Sequence, residues 1–265
     1  MGKVSGIITC NNRENLIEKC LESIRWVDEL IVVDSFSTDR TVELARPYAD
    51  IFYQHEYISE ADQRNRAINR ASHPWILIID SDEVMPEPLR DEIREELKNP
   101  RYGKYRVFRR GFFLGREMKH GGWNRDQNNI LFRKDTYHFS DDEIHPVLLP
   151  DDTPGIFTDR LLHYTLPSIN EFVENARWYA TLGAQKYLRQ GRKGHAANIF
   201  FHPLFNFCKN YIFRLGCLDG ARGLISAVLS SCYVAQKHAK LWELRNQKTE
   251  KQITDVEEKG GLGFS

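Results

Sequence analysis

Trp75-Ile76-Leu77-Ile78-Ile79-Asp80-Ser81-Asp82-Glu83 sets five apolar residues directly against three acids, with one serine among them. A continuous apolar run with β-branched members predicts a strand buried on both faces, as in a parallel sheet. Such a strand must end where its charges meet water or a ligand. In open α/β sheets, ligands sit beyond the carboxyl ends of the strands. Asp80 and Asp82 would point to opposite sides of an extended backbone, but a turn at Ser81 would let both reach one divalent cation, directly or through water. Carboxylate oxygens suit Mg2+ and Mn2+, and Mg2+ commonly combines one or two carboxylates with substrate phosphates. The competing expectation is that these acids open the next helix. Pro86-Glu87-Pro88 leads into an amphipathic run over 89–97, and acids near a helix start suit its dipole. For Glu83 the helix-start reading is preferred. For Asp80 and Asp82 the metal reading is preferred, because the strand before them would be buried.

Outward from this stretch the pattern alternates. Residues 4–9 read as a short buried strand and 10–13 as a turn. Residues 14–25 carry apolar side chains at Leu16, Ile17, Cys20, Leu21 and Ile24, the spacing of an amphipathic helix. Leu30-Ile31-Val32-Val33-Asp34 is a second buried strand ending in an acid. A polar loop over 35–39, a helix from Arg40, a third strand at 51–53 and a Ser59-capped helix to about Ala71 follow. This alternation predicts α/β architecture: a mostly parallel Rossmann-like sheet with helices on both faces. Beyond Pro100 the signal changes. Residues 105–110 alternate like a strand with one wet face, 111–123 are rich in glycine and aromatics, and 130–133 and 161–164 read as short strands. From Ser168 the chain reads as helical, broken once at 189–194. The expected organisation is a nucleotide-sugar-binding and catalytic domain over 1–167, a basic amphipathic helical region over 168–247, and a frayed polar tail over 248–265.

Net charge is zero over 265 residues, so no global field argues for a nucleic-acid partner, and none is expected. The charge is uneven, however. Residues 177–245 hold eleven lysines or arginines against two acids, which points to two jobs in one chain. The five cysteines include no C-x-x-C pair, which fits reduced thiols in a cytosolic protein. Met1-Gly2-Lys3 leads straight into the first strand, so no secretory leader is expected. No run approaches the ~18 apolar residues of a spanning helix.

At this point the residues resemble a known family. Val4-Ser5-Gly6-Ile7-Ile8-Thr9 with Asn11, Val32-Val33-Asp34-Ser35 with Ser37-Thr38-Asp39, Gln63-Arg64-Asn65 and Asp80-Ser81-Asp82-Glu83 resemble glycosyltransferase family 2. Phe113-Leu114-Gly115-Arg116, Gly122-Trp123, Leu131-Phe132-Arg133 and Tyr211-Ile212-Phe213-Arg214-Leu215-Gly216 with Leu218-Asp219-Gly220 are similar to the branch of lipopolysaccharide inner-core β-1,4-glucosyltransferases. The resemblance implies a GT-A fold, a nucleotide-sugar donor such as UDP-glucose, a Mn2+ or Mg2+ cofactor, and inversion at the anomeric carbon. It implies that Asp82 holds the metal with Asp80 nearby, Asp80 leaning towards the donor. Thr9, Asn11 and Asp34 would line the base and ribose pocket. Arg64 would approach the diphosphate and the amides of Gln63 and Asn65 the base, with a solvated helix face as the alternative for Arg64. His163 is expected as a further metal or diphosphate ligand or as a satisfied rim residue. Gly122 and Trp123 would line the acceptor side, although Trp123 could equally be core.

An inverting enzyme needs a base to take the acceptor's proton, usually a carboxylate. Asp142 and Glu143 lie where the family places it. The chain departs here: relatives often read His-Glu, whereas this one reads His145-Pro146.

In the basic region Leu224, Ile225, Val228, Leu229, Cys232 and Tyr233 form one apolar stripe, and Ile199-Phe200-Phe201, Leu204-Phe205 and Phe207 form another. Lysines and arginines flank both. Such a surface suits an anionic membrane, placing the enzyme at the cytoplasmic face of the inner membrane beside a lipid-linked glycan acceptor. Packing on the catalytic domain or in a homo-oligomer is the competing expectation. Two other functions compete with the transferase. A sugar nucleotidyltransferase would want a glycine-rich loop where Cys10-Asn11-Asn12-Arg13 stands. A non-catalytic membrane-surface assembly protein would give the acid pair no cation to bind.

Overall fold

The strand that enters the acidic turn lies inside the sheet, with every residue of Trp75–Ile78 buried. The computed structural model describes residues 2–140, 146–166 and 168–260. Two compact units are present, Met1–Met118 with Trp123–Thr165, and Lys119–Gly122 with Leu166–Ser265.

The first unit runs β1 (Val4–Cys10), α1 (Ile17–Ser23), β2 (Glu29–Asp34), α2 (Thr41–Ala45), β3 (Ile51–Gln54), α3 (Glu60–Arg70), β4 (Trp75–Ile78), β5 (Glu83–Val84), α4 (Glu87–Glu96), β6 (Lys104–Phe113), β7 (Arg116–Glu117), β8 (Gln127–Arg133), β9 (His138–Phe139), β10 (Leu148–Leu149) and β11 (Gly155–Leu166). Among the described residues the main sheet is ordered β3-β2-β1-β4-β8-β6-β11-β5, with β7 on β6. The first four strands are parallel, and β8 joins β4 antiparallel. The parallel strands are apolar throughout because both faces are covered. Ile7, Ile31, Val33, Ile76 and Ile78 pack beneath Ala61, Ala67 and Ile68 of α3. Val4, Ile8, Val32, Trp75 and Leu77 meet Ile17, Cys20 and Leu21 of α1 and Leu89 and Ile93 of α4 on the other face. Each such side chain contributes about 1.5–3 kcal/mol of burial, so β4 is anchored up to the acids. In β6 the alternation holds: Tyr105, Val107 and Phe113 are buried on one face.

Local signals set the ends. Ser59 Oγ accepts from the backbone N–H of Asp62 at 3.1 Å and starts α3, as its sequence predicts. Past Ile79 the chain turns, and the N–H of Glu83 donates to the carbonyl of Asp80 at 2.9 Å.

In the second unit α5 (Ile169–Arg189) is capped by Ser168, whose Oγ accepts from Glu171 N–H at 3.1 Å. Ala176, Ala180 and Ala184 form a buried small-residue seam along it. α6 (Ala197–Phe207) follows the break expected at 189–194, and α7 (Gly220–Gly260) packs against both α5 and α6. The backbone of α7 stays helical through 248–260, where a frayed tail was expected. Close backbone approach sets its start: a Cβ on Gly223 would lie 1.8 Å from the carbonyl oxygen of Gly216. Asp219 accepts from the backbone N–H of His120 at 2.9 Å, tying the strap 119–122 to this unit. All five cysteines are free. No helix among the described residues is long and apolar enough to cross a membrane.

Candidate active site

The turn after β4 gathers the charges. Asp80 sits at its entry, with Oδ1 accepting from Arg64 Nη2 at 2.6 Å and Oδ2 from Arg109 Nη2 at 3.0 Å. Burial opposes an ionised carboxylate, but the two guanidiniums overcome it and hold Asp80 down at about 2. Glu83 is wholly buried. Its Oε2 accepts from the backbone N–H of Asp80 at 2.7 Å, and Oε1 lies 2.6 Å from Arg109 Nε. That second contact is an ion pair off the N–H axis, since neither atom has a hydrogen-bond partner. Burial pushes the Glu83 carboxyl up to about 7, helped by the charge of Asp80 and opposed by Arg109. Glu83 therefore does not mark the start of the next helix. It shapes the turn, and α4 begins four residues later at Glu87.

Asp82 is on the far side of the turn. Its backbone carbonyl accepts from Tyr164 N–H at 2.8 Å, and its Oδ1 lies 3.5 Å from His163 Nε2. His163 reaches this place because β11 pairs antiparallel with β5, His163 opposite Glu83. Its Nδ1 lies 3.6 Å from Asp126 Oδ2. Burial alone would lower the imidazole, yet Asp126 and Asp82 raise it to about 10. Among the described residues no group of three His, Cys, Asp or Glu side chains closes on a common point where a metal could sit.

Other expected site residues fall into different places. Thr9 is half-buried at the end of β1, and Asn11 is exposed with Nδ2 donating to the Ser35 carbonyl at 2.7 Å. Asp34 is fully buried, and both its oxygens are taken, by Ser37 Oγ and N–H and by Gln54 Nε2 at 2.8 Å. It thus ties the loop after β2 to the edge strand. Gln63 is buried and gives its amide to Ser35 Oγ at 2.5 Å. Asn65 is engaged in both directions with the backbone of Phe139, its amide donating at 2.8 Å and accepting at 2.9 Å. Arg64 is not on a solvated face. It is buried against Phe139 and braces Asp80. Trp123 leans on Gly111 and Phe113, and Gly122 approaches Arg214. Asp142 and Glu143, expected as the base, lie outside the described residues, as does His145.

The family model described as glycosyl transferase family 2 matches residues 5–148, the span that holds β1 through β10 and both acids of the turn. The chain belongs to glycosyl transferase family 2. It is a glycosyltransferase with the fold that its alternating elements predict. Among the relatives, lipopolysaccharide core biosynthesis glycosyltransferase LpsC of Rhizobium meliloti is 29% identical over 96% of this chain and 97% of its own. An uncharacterized glycosyltransferase of Rickettsia typhi, RT0209, is 26% identical over 92% of this chain and 88% of its own. The solved structure of glucosyl-3-phosphoglycerate synthase from Mycobacterium tuberculosis with Mn2+ and UDP-glucose matches at 26% identity and TM-score 0.35, over 42% of this chain and 44% of that one.

Three members of this family-2 site were missed by sequence reasoning: Arg109, Asp126 and the buried role of Glu83. Arg109 left a signal. It falls on the inward face of β6, in step with Tyr105, Val107 and Phe113, where a charge needs a partner.

Arg109→Ala strands the buried Glu83 carboxyl and leaves Asp80 to Arg64 alone, and is expected to cost about 3–5 kcal/mol of unfolding free energy, measured by urea denaturation at neutral pH. A loss below 1 kcal/mol would mean that the ion pairs are unimportant. For His163 the folded state favours the proton. In metal-free protein its stabilising contribution is complete below about pH 6.5 and fades as pH rises through about 10. Imidazole NMR in EDTA should therefore show His163 still protonated at about pH 8; an ordinary midpoint would refute the pairing with Asp82 and Asp126.

Proposed function

We propose that this protein is an inverting, metal-dependent glycosyltransferase that moves a sugar, with glucose from UDP-glucose as the leading donor, onto a lipopolysaccharide inner-core or similar lipid-linked glycan. The observation that carries the reading is the division of labour at the turn. Asp80 is neutralised by two guanidiniums, while Asp82 stands beyond the carboxyl end of the buried strand and, among the described residues, is paired with an imidazole alone. The likeness to LpsC over nearly all of both chains supports the acceptor class.

The residues fit a divalent cation shared with a diphosphate. Asp82 offers a carboxylate and His163, once deprotonated, a nitrogen, so substrate phosphates would complete the set. Bound there, the cation would offset the negative charge that grows on the departing diphosphate. The chain's own residues prepare this place. Arg64 and Arg109 keep Asp80 ionised and aimed, Glu83 fixes the backbone of the turn, and His163 positions Asp82. Thr9 and Asn11, at the end of β1, line the donor side in this reading. The acceptor hydroxyl attacks the anomeric carbon as the bond to the diphosphate breaks, and its proton passes to a carboxylate, the role that the family resemblance gives to Asp142 or Glu143.

The helical unit adds the acceptor's setting. Phe200, Phe201 and Phe213 are 66%, 63% and 76% exposed, in a segment with a large excess of basic residues. Exposed aromatic side chains beside such charge fit an anionic leaflet, where a lipid-linked acceptor resides.

Asp82→Ala is expected to lower transfer by ~100-fold or more while the melting temperature stays within a few degrees of wild type. A donor screen on core-oligosaccharide acceptors with Mn2+, read by mass of product, checks it, and undiminished transfer by the variant would end the metal assignment. Phe200→Ser with Phe201→Ser should reduce co-flotation with phosphatidylglycerol vesicles by roughly fivefold or more. Unchanged recovery, or loss of a dimer instead, would assign the apolar face to another copy of the chain.

A further inference from the structure

A second cavity lies wholly within the helical unit, bounded by the end of α5, by α6 and by α7. Its volume is about 250 Å3, and Arg192, Lys193, Lys209 and Lys237 all line it, with no carboxylate in its wall. Among the described residues none of these four cations forms an ion pair. Arg192 and Lys237 are steered by an aromatic ring: the Arg192 guanidinium lies 4.1 Å from the centre of the Tyr187 ring, and Lys237 Nζ lies 4.8 Å from it. Like charges held around one hollow repel each other, and among the described residues no carboxylate offsets that cost, aromatic rings doing so only in part.

The floor holds a second, independent mark of a ligand. His238 is 8% exposed and lines the cavity, yet its Nδ1 has no hydrogen-bond partner. Buried polar atoms are nearly always paired, and an orphan costs about 1–3 kcal/mol. Its ring stacks flat on His202, 4.3 Å away and 4° from parallel. Burial and the nearby charges of Lys237 and Arg192 keep the imidazole neutral, with a midpoint near 4. Against these four cations the lining residues set neutral acceptors alone, on Tyr187, Asn198 and Asn206, so the wall suits an anionic ligand.

We propose that this cavity binds a phosphate monoester, whose oxygens are taken by Arg192, Lys193, Lys209 and Lys237 and by the unpartnered nitrogen of His238. A dianionic head with several acceptor oxygens matches four cations better than a single carboxylate does. The cavity is too small for a large ligand but suits a phosphate on one sugar or on a lipid head. Phe205 belongs both to its wall and to the exposed apolar side of α6, at 63% exposure, so a phosphate carried on a lipid would find its apolar part accommodated next to it. All of its residues belong to the helical unit, and the proposal does not depend on the transfer reaction.

The test uses the full chain with isotope-labelled histidine. Inorganic phosphate, glucose 1-phosphate, and phosphatidylcholine vesicles with phosphatidic acid or phosphatidylglycerol are titrated separately. Saturable shifts of the His202 and His238 ring signals are expected with monoesters. Response to phosphatidic acid vesicles alone identifies a lipid head as the source, and response to glucose 1-phosphate a soluble one. Phosphatidylglycerol, a diester of similar surface charge, should leave His238 unmoved. Lys193→Gln with Lys209→Gln should weaken binding at least tenfold at unchanged melting temperature, and Asp82→Ala should not weaken it. Silence of His238 with every phosphate probe, or equal affinity in the double variant, overturns the proposal. Should that variant fold poorly, the wild-type ring titration decides alone.

Discussion

The guanidinium of Arg109 is what allows three carboxylates to share the end of one buried strand. It touches Asp80 at 3.0 Å, Glu83 at 2.6 Å and Asp126 at 3.3 Å. Without it, Glu83 would sit in the interior with only a backbone N–H to satisfy it, and Asp80 would keep Arg64 alone. The planar fork matters as much as the charge, because three nitrogens point in three directions at once. A lysine at the same place would supply one point charge and leave two acids uncompensated.

This arrangement is costly, since Glu83 and the guanidiniums of Arg64 and Arg109 are withdrawn from water and their ion pairs only partly offset that. A purely structural turn would be more stable with apolar residues in the same volume. Retaining the charges makes sense if the turn must be stiff and must keep one acid apart from the guanidiniums. Glu83 and Arg109 hold the backbone and Asp80, so that Asp82 is left with an imidazole as its neighbour. The helical unit follows a related logic in reverse, gathering cations around a hollow that no carboxylate among the described residues neutralises.

Much of this was legible along the chain. The apolar runs ending in Asp34 and Asp80 announced parallel strands, and Ser59 and Ser168 announced the helices that follow them. The break at 189–194 and the exposed aromatic cluster of α6 were also visible. What misled was local plausibility. Glu83 precedes a good helix, and acids before helices are common, so its burial was invisible. Arg64 was expected at the diphosphate or on a solvated face and Asn65 at the base, but α3 turns one to Asp80 and the other to the backbone of Phe139. The signal that could have found Arg109, a charge in step with the buried face of an alternating strand, only has meaning once something lies opposite it.

Sequence by itself determined the family, the order of strands and helices, the acid pair beyond a buried strand, and the basic helical half, because each depends on patterns within about ten residues of chain. Tertiary structure alone decided which charges meet. Arg109 is 29 residues from Asp80, and His163 reaches Asp82 only through the pairing of β11 with β5. Hydrophobic periodicity selects a face for each element but carries no record of its partner across the fold. The pairing of buried charges is set by which strands become neighbours, and that is a property of the packed chain.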